Sequence, residues 1–394
     1  MLITAEKIIT GDGSTVLEQA GIYVDNAGKI KEVGPAAELK SRYPEEELRE
    51  YPGSTLLPGL IDCHAHLGHF SCKPPVINDY MMAYLAQKYA RDAFGRGVTT
   101  LRDMGSPEGV CMTMKAASEM GLFKIPRMEY GGCALCITGG HGSNYGMGEG
   151  AEETDGIDAI RRAIRTRVKH GSKWIKVMTS HRSDVCEYSQ EELDLAVAES
   201  HRLGVKAMVH SGTQPSIGMC IKAGFDTIEH ATFATKEQIL EMAEKGIAWT
   251  PTILPYAMIY QMMEKKFEGM EEKPREYHYA KAASDMYKNH FKEYYDTGVL
   301  ITAGTDNVTM DGRSDLYVAK ELAFMVEYGL TPLEAIRVAT MNGAKVMDME
   351  DKVGQIKEGL CADLLIVDGD ASVDIQALEH IHAVYLNGEI VYGK

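Results

Sequence analysis

The sequence predicts an α/β chain: a (β/α)8 barrel joined to a small all-β unit assembled from the two ends of the chain. Three observations predict it. Eight short apolar or β-branched runs alternate with helical patterns through the middle, both ends read as strand–turn–strand, and 394 residues suffice for one large domain and a smaller one.

Residues 1–57 open with "MLITAEKIIT", turn at "GDGST" and continue as "AGIYVDNAGKIKEVG", where "DNAGK" separates two strand-like runs. The barrel is assigned to 58–351. Its strands are read in "GLIDCHAHL", "GVTTLRDMG", "PRMEYGGCA", "KWIKVMTS", "VKAMVHSG", "DTIEHAT", "IAWTPTIL" and "VLITAGTDN". Helical patterns separate them, as in "EYSQEELDLAVAESHRLG", where Ser189 is a plausible N-cap with Glu192 three residues on, and in "TKEQILEMAEKG". The units share no sequence repeat, so the count rests on pattern.

Pro255 to Gly298 breaks the rhythm, being helical and longer than a barrel crossover needs. It reads as a solvated outer layer or as a cap over the barrel mouth, and its Tyr and Met residues suit a core or a homo-oligomer contact equally. Residues 352–394 return to strands in "GQIKEGLCADLLIVDGD" and "HAVYLNGEIVYGK", with Asn387-Gly388 as a hairpin turn. The two ends, 1–57 and 352–394, are therefore expected to form one composite β domain.

Hydrophobic residues at 45% and charged residues at 25% are those of an ordinary soluble globular chain. Acidic residues outnumber basic ones 57 to 41, giving a net charge of -16, and no Lys/Arg cluster forms a phosphate-tracking face. Nucleic acid is not expected as a partner. No apolar run approaches membrane-spanning length and the first residues lack a secretory pattern, so neither a membrane nor export is expected and the chain is placed in the cytoplasm. Eight cysteines then read as reduced thiols. Cys133 and Cys136 have CxxC spacing, but glycines follow where a redox motif would start a helix, and core thiols are the better reading.

Strand residues two apart project to one side, so His64 and His66 of "GLIDCHAHLG" aim together from the end of the first barrel strand. A lone histidine there is more often a core residue; a pair at this spacing suits zinc and its neighbours. Later strands add metal-capable groups: Lys176 within apolar "KWIKVMTS", His210 ending "AMVHSG", His230 in "TIEHAT" and Asp306 in "TAGTDN". Of the remaining histidines, only His141 and His181 stand where a strand has just ended.

At these residues the sequence resembles the amidohydrolase superfamily. "LLPGLIDCHAHLG", "GFDTIEHA", "TAGTDN", "TPLEAIRVATMNGAKVM" and "VGQIKEGLCADLLIVDGD" carry the likeness over nearly the whole chain. The resemblance implies a distorted (β/α)8 barrel flanked by a small β-sandwich from both termini, acting on a small-molecule substrate. The set of HxH, Lys, His, His and Asp is similar to the binuclear members, and "ITGGHG" resembles the subgroup with Xaa-Pro dipeptidases and related carboxypeptidases.

An ammonium has no lone pair to give a cation, so Lys176 as it stands is not a ligand. In the binuclear relatives the lysine is carboxylated by CO2 to a bridging carbamate. The resemblance therefore implies two divalent ions, zinc being expected, with His64, His66 and Asp306 at the more buried one, His210 and His230 at the other, and carboxylated Lys176 between them. Coordination brings the pKa of water to about 7, which supplies a hydroxide held between the ions to attack an amide carbonyl. Asp306 is the expected proton carrier, and His141 is the expected binder of the substrate's carbonyl or carboxylate.

After the fourth strand the chain reads "TSHRSDVCEYS" where the peptidase-like relatives have a Gly-rich turn, bringing His181 and Arg182 toward the mouth. Arg182 has the fork to hold a carboxylate, or faces water as most loop arginines do; Tyr256, after the seventh strand, is a further candidate. The favoured activity is hydrolysis of a peptide or N-acyl amino acid amide. A cyclic amide or lactone hydrolase of the imidazolonepropionase or hydantoinase kind stays open. So does a catalytically inactive barrel, which six filled ligand positions disfavour. Deamination is disfavoured by Lys176 and by Thr213, which stands where deaminases place a glutamate.

Overall fold

A computed structural model describes residues 1–70, 78–107, 109–143, 150–180, 185–309 and 317–393. The first strands are β1 (Leu2–Ile9), β2 (Val16–Val24), β3 (Ile30–Pro35) and β4 (Leu48–Pro58). The middle contributes β5 (Leu60–Phe70), β6 (Val98–Asp103), β7 (Arg127–Tyr130), β8 (Ala134–Cys136), β9 (Ala151–Glu153), β10 (Trp174–Met178), β11 (Lys206–Ser211), β12 (Thr227–His230), β13 (Ala248–Thr250) and β14 (Asn307–Thr309). The C-terminal strands are β15 (Leu364–Asp368), β16 (Ile381–Leu386) and β17 (Glu389–Gly393).

Both ends of the chain share one sheet, in the order β17-β16-β15-β4-β1-β2-β3. β1 lies parallel to β4, and β15 joins β4 antiparallel, Leu364 opposite Pro58. Asn387 and Gly388 link β16 to β17 with φ of 51° and 75°, the two positive values a type I′ turn needs. The expected sandwich is thus one continuous hydrogen-bonded sheet. Its two halves share an apolar cluster in which Ile3, Ile22 and Ile30 meet Leu56, Leu364 and Ile366.

The middle of the chain forms two parallel sheets, β13-β12-β11-β10-β8-β9 and β14-β5-β6-β7. The single third strand of the sequence reading is split in two: β7 pairs with β6, and β8 with β10. The split follows from Gly131, where a Cβ would lie 2.6 Å from the Met208 methyl and 3.3 Å from the Lys176 Cβ, so the backbone passes where no side chain fits. Of the eighth run only Asn307 falls in regular strand, as the first residue of β14. The residues before it still bond to both sides, Trp249 N–H to Leu300 O, Thr302 N–H to Trp249 O and Cys63 N–H to Ala303 O, each at 2.8–2.9 Å.

Helices cover these sheets with apolar faces. Gln190–Arg202 starts on the expected capping box of Ser189 and Glu192 and buries Leu193, Ala196 and Val197. Between β13 and the eighth run stand helices Ile253–Lys266 and Arg275–Tyr295. The second of these turns Tyr287, Phe291 and Tyr294 onto Trp249, with ring centroids 5.9–6.4 Å apart, so its inner face is core. Met262 and Met270 remain exposed on the outside. Among the described residues no helix is long and apolar enough to cross a membrane, and none of the seven described cysteines, Cys133 and Cys136 included, is in a disulfide.

Candidate metal centre

The strand ends converge. His64 and His66 project together from β5, as period two requires, with ring centroids 5.3 Å apart. His64 lies 5.0 Å from His230, His230 4.5 Å from His210, and His210 stacks at 4.0 Å on His141, so five imidazoles form one continuous chain. Asp306 closes it: its Oδ1 is 3.3 Å from His64 Nε2 and 3.2 Å from His66 Nε2. Ligand atoms of His64, His230 and Asp306 all lie within 4.8 Å of one another. His66 and His210 flank this group.

Backbone geometry aims these residues. His230 and Asp306 have φ of 64° and 48°, left-handed values unusual for residues with a Cβ, and the neighbouring Ala231 and Thr252 share the conformation. Such strain costs about 1–3 kcal/mol per residue and concentrates at functional sites. In a regular pleat Glu229 and His230 would face opposite sides; the left-handed turn ends the pleat, and both meet His64. Asp306 N–H donates to His64 O at 2.7 Å, tying the eighth run to β5.

The donor set fits a divalent ion. His66 Nδ1 lies 3.2 Å from Gly105 O, an acceptor that takes a proton there, so Nε2, 3.2 Å from Asp306 Oδ1, is the nitrogen an ion would take. His230 Nδ1 is 2.6 Å from Thr252 Oγ1, a hydroxyl able to accept from it or to donate to it. Imidazole nitrogens and a carboxylate oxygen brought together in a buried place are the ligands that zinc-like ions take.

Lys176 sits in this interior, 1% exposed, and no hydrogen bond or ion pair reaches its Nζ among the described residues. Burial lowers its pKa to about 8, against the pull of Glu229 and Asp306. A share of neutral amine is therefore present near neutral pH. Burial, reinforced by neighbouring positive charge, also holds His210 and His230 well below the usual imidazole range. For Asp306 burial acts upward, but the charge of His64 and the hydrogen bonds from His64 and His66 outweigh it and hold the carboxyl well below its ordinary value.

Of the candidates for contact with substrate, His141 lies beside His210: its backbone N–H donates to Glu187 Oε2 at 2.8 Å while its ring stacks on that of His210. Tyr256 meets His230 edge-on at 5.9 Å. His181 and Arg182 lie outside the described residues.

Several residues around the centre escaped the sequence reading. Asp62 accepts from the N–H groups of His64 and Thr305 and from Thr305 Oγ1, joining β5 to the eighth run. Asp103 accepts from Leu67 N–H, Gly105 N–H and Ser106 Oγ, pinning the end of β5 to β6. Arg102 and Glu229 are fully buried and paired at 3.0 Å. A usable signal existed for the last two, since each is a charge set inside an apolar run, "TLRDMG" and "TIEHAT". Glu187 carried none.

Comparison with known proteins agrees with this geometry. The amidohydrolase family profile matches residues 55–391. An ochratoxinase of Aspergillus niger is 30% identical, the alignment covering 97% of this chain and 84% of the ochratoxinase. The crystal structure of a Xaa-Pro dipeptidase with bound methionine in the active site superposes with a TM-score of 0.86 at 29% identity, covering 100% of this chain and 99% of the other. The crystal structure of the A. niger ochratoxinase gives 0.87 at 26%, covering 100% and 95%. With most of its length inside the family profile and its strand ends gathered around one buried donor set, the chain belongs to the amidohydrolase family.

Proposed function

We propose that this enzyme is a metal-dependent hydrolase of a peptide or N-acyl amino acid amide, closest in kind to a Xaa-Pro dipeptidase or carboxypeptidase. His64, His66 and Asp306 are assigned to one divalent ion, His210 and His230 to a second, and Lys176, carboxylated, to the bridge; zinc is the proposed metal. The observation that carries the reading is Lys176 itself, a buried lysine without a hydrogen-bond partner among the described residues, whose charge is felt by His64, His210 and His230. A structural lysine would snorkel or pair.

Bound ions supply a Lewis acid for the amide carbonyl and ionisation of water near neutral pH. Asp306 Oδ1 takes the proton of the attacking water and passes it to the leaving nitrogen, a transfer suited to a carboxylate already touching both β5 imidazoles. His141 directs a ring N–H at the substrate's carbonyl or carboxylate, its backbone held by Glu187. Tyr256, His181 and Arg182 are assigned to the substrate.

The two parallel sheets are taken as arcs of one distorted (β/α)8 barrel over 58–351, a reading supported by the bonds from residues 300–303 to Trp249 and Cys63. Residues 1–57 and 352–394 are taken as its companion β domain, and seven described cysteines outside any disulfide favour the cytoplasm.

A 25% identical imidazolonepropionase of Streptococcus sanguinis, aligned over 95% of this chain, supports ring opening as a second reading. Metal-loaded enzyme assayed on Xaa-Pro and other dipeptides, N-acyl amino acids, hydantoins, lactams and lactones separates the two. Turnover of a linear amide is expected; opening of rings without any linear turnover would overturn the first reading.

A further inference from the structure

Arg102 and Glu229 form a charged pair in the interior that the proposed chemistry does not use. Both are completely buried. Arg102 spends its donors on the surrounding strands: Nε on Cys63 O at 2.7 Å, Nη1 on Thr227 Oγ1 and Nη2 on Thr250 Oγ1 at 3.3 Å, and Nη2 on Glu229 Oε1 at 3.0 Å. Its guanidinium also stacks 4.5 Å over the Trp174 ring. Thr227 Oγ1 donates to the same Oε1. Glu229 is therefore held with Oε1 committed to Arg102 and Thr227, while Oε2 lies 2.9 Å from His64 Nδ1.

We infer that Glu229, fixed by Arg102, is the positioning residue of the metal centre: it holds the proton of His64 on Nδ1 and so presents the Nε2 lone pair to the ion. The inference rests on His64 being a ligand, as proposed above. A carboxylate oxygen only accepts, so the hydrogen bond to Nδ1 admits one tautomer of neutral His64. Arg102 makes the orientation single-valued, since its donors require an acceptor at the other oxygen. Carboxylate partners of this kind are worth about 10–100-fold in metal affinity where they have been removed.

Glu229→Gln is the informative change. The Arg102 and Thr227 donors claim the amide oxygen, which leaves the amide nitrogen facing His64 Nδ1. Two donors cannot share that contact, so His64 moves its proton to Nε2, the atom that should bind the ion.

Zinc affinity is measured by chelator competition on wild type and Glu229→Gln. In parallel, the His64 tautomer is read from nitrogen chemical shifts of zinc-loaded, 15N-histidine-labelled protein, where the ion would replace the proton that Nε2 shares with Asp306 Oδ1, with His64→Asn identifying the signal. The expected results are a loss of about 10–100-fold in affinity and a proton on Nδ1 in wild type that relocates to Nε2 in the variant. Equal affinities, or a wild-type proton on Nε2, overturn the role of Glu229. The wild-type tautomer decides even if the variant fails to fold. A wild-type chain that takes up no zinc overturns the metal-centre reading instead, so the two failures are told apart.

Discussion

The carbonyl of His230 offers a sharp test of how the helical segment after β13 serves the centre. Two buried side chains donate to it: Trp249 Nε1 at 2.7 Å from β13, and Tyr287 Oη at 3.1 Å from helix Arg275–Tyr295. Tyr287→Phe removes one of them and should cost about 1 kcal/mol, because Trp249 still serves the oxygen. Trp249→Phe removes the other and leaves space beside Phe291 and Tyr294, for about 2 kcal/mol. The double variant leaves the oxygen without either donor, at a position whose left-handed φ of 64° already needs support. An orphaned buried acceptor costs about 1–3 kcal/mol, so the double loss should exceed the sum of the singles by about 1–2 kcal/mol. Urea unfolding of the metal-free proteins, followed by far-ultraviolet circular dichroism, measures all four corners of the cycle. Additivity within about 0.5 kcal/mol would refute the shared-carbonyl argument and leave the helix as packing alone.

Lys176→Ala should lose most bound metal and activity, with partial recovery when short carboxylic acids stand in for the proposed carbamate; unchanged metal content removes Lys176 from the centre. Gly304→Ala would place a Cβ 2.5 Å from His64 Cβ and 2.6 Å from Thr250 Cγ2, so it should lose about 1–3 kcal/mol of stability and weaken zinc binding together, whereas wild-type values for both would refute the close approach. The hydrogen bonds from Arg202, opposed by burial and joined by those from Arg165, hold the Glu199 carboxyl down at about 2. Its folded pKa lies below its unfolded one, so its contribution is present above about pH 4.5 and fades as pH falls toward 2. Allowing for the half-exposed arginines, Glu199→Gln should cost about 1–2 kcal/mol at neutral pH, with the gap to wild type closing in acid. A gap that stays constant down to about pH 3 would contradict this.

The ligand candidates were legible because their signal is local. His64 and His66 need only the period of a strand, and His210, His230 and Asp306 stand at the ends of apolar runs. Their support was not legible. Arg102 and Glu229 are separated by more than a hundred residues, and nothing in either run names the other. The split between β7 and β8 was hidden because "PRMEYGGCA" reads as one run; what divides it is the proximity of Met208 and Lys176 to Gly131, a fact of packing. The left-handed φ of His230 and Asp306 gave no warning, since the usual marker of that conformation is glycine and neither residue is one. The helical pattern of 255–298 was readable, but its inner face became assignable only when Trp249 was seen against it.

Sharing one sheet between the two ends of the chain has a consequence for biosynthesis. β4 runs into β5 with only Gly59 between them, and its partner β15 leaves the ribosome about 300 residues later, a wait of roughly 15–60 s at ordinary elongation rates. Throughout that interval a nascent strand of eleven residues has an unmated flank directly upstream of the segment that carries His64 and His66. Synthesis that stops short of the last thirty residues should therefore yield an aggregating chain and not a smaller enzyme.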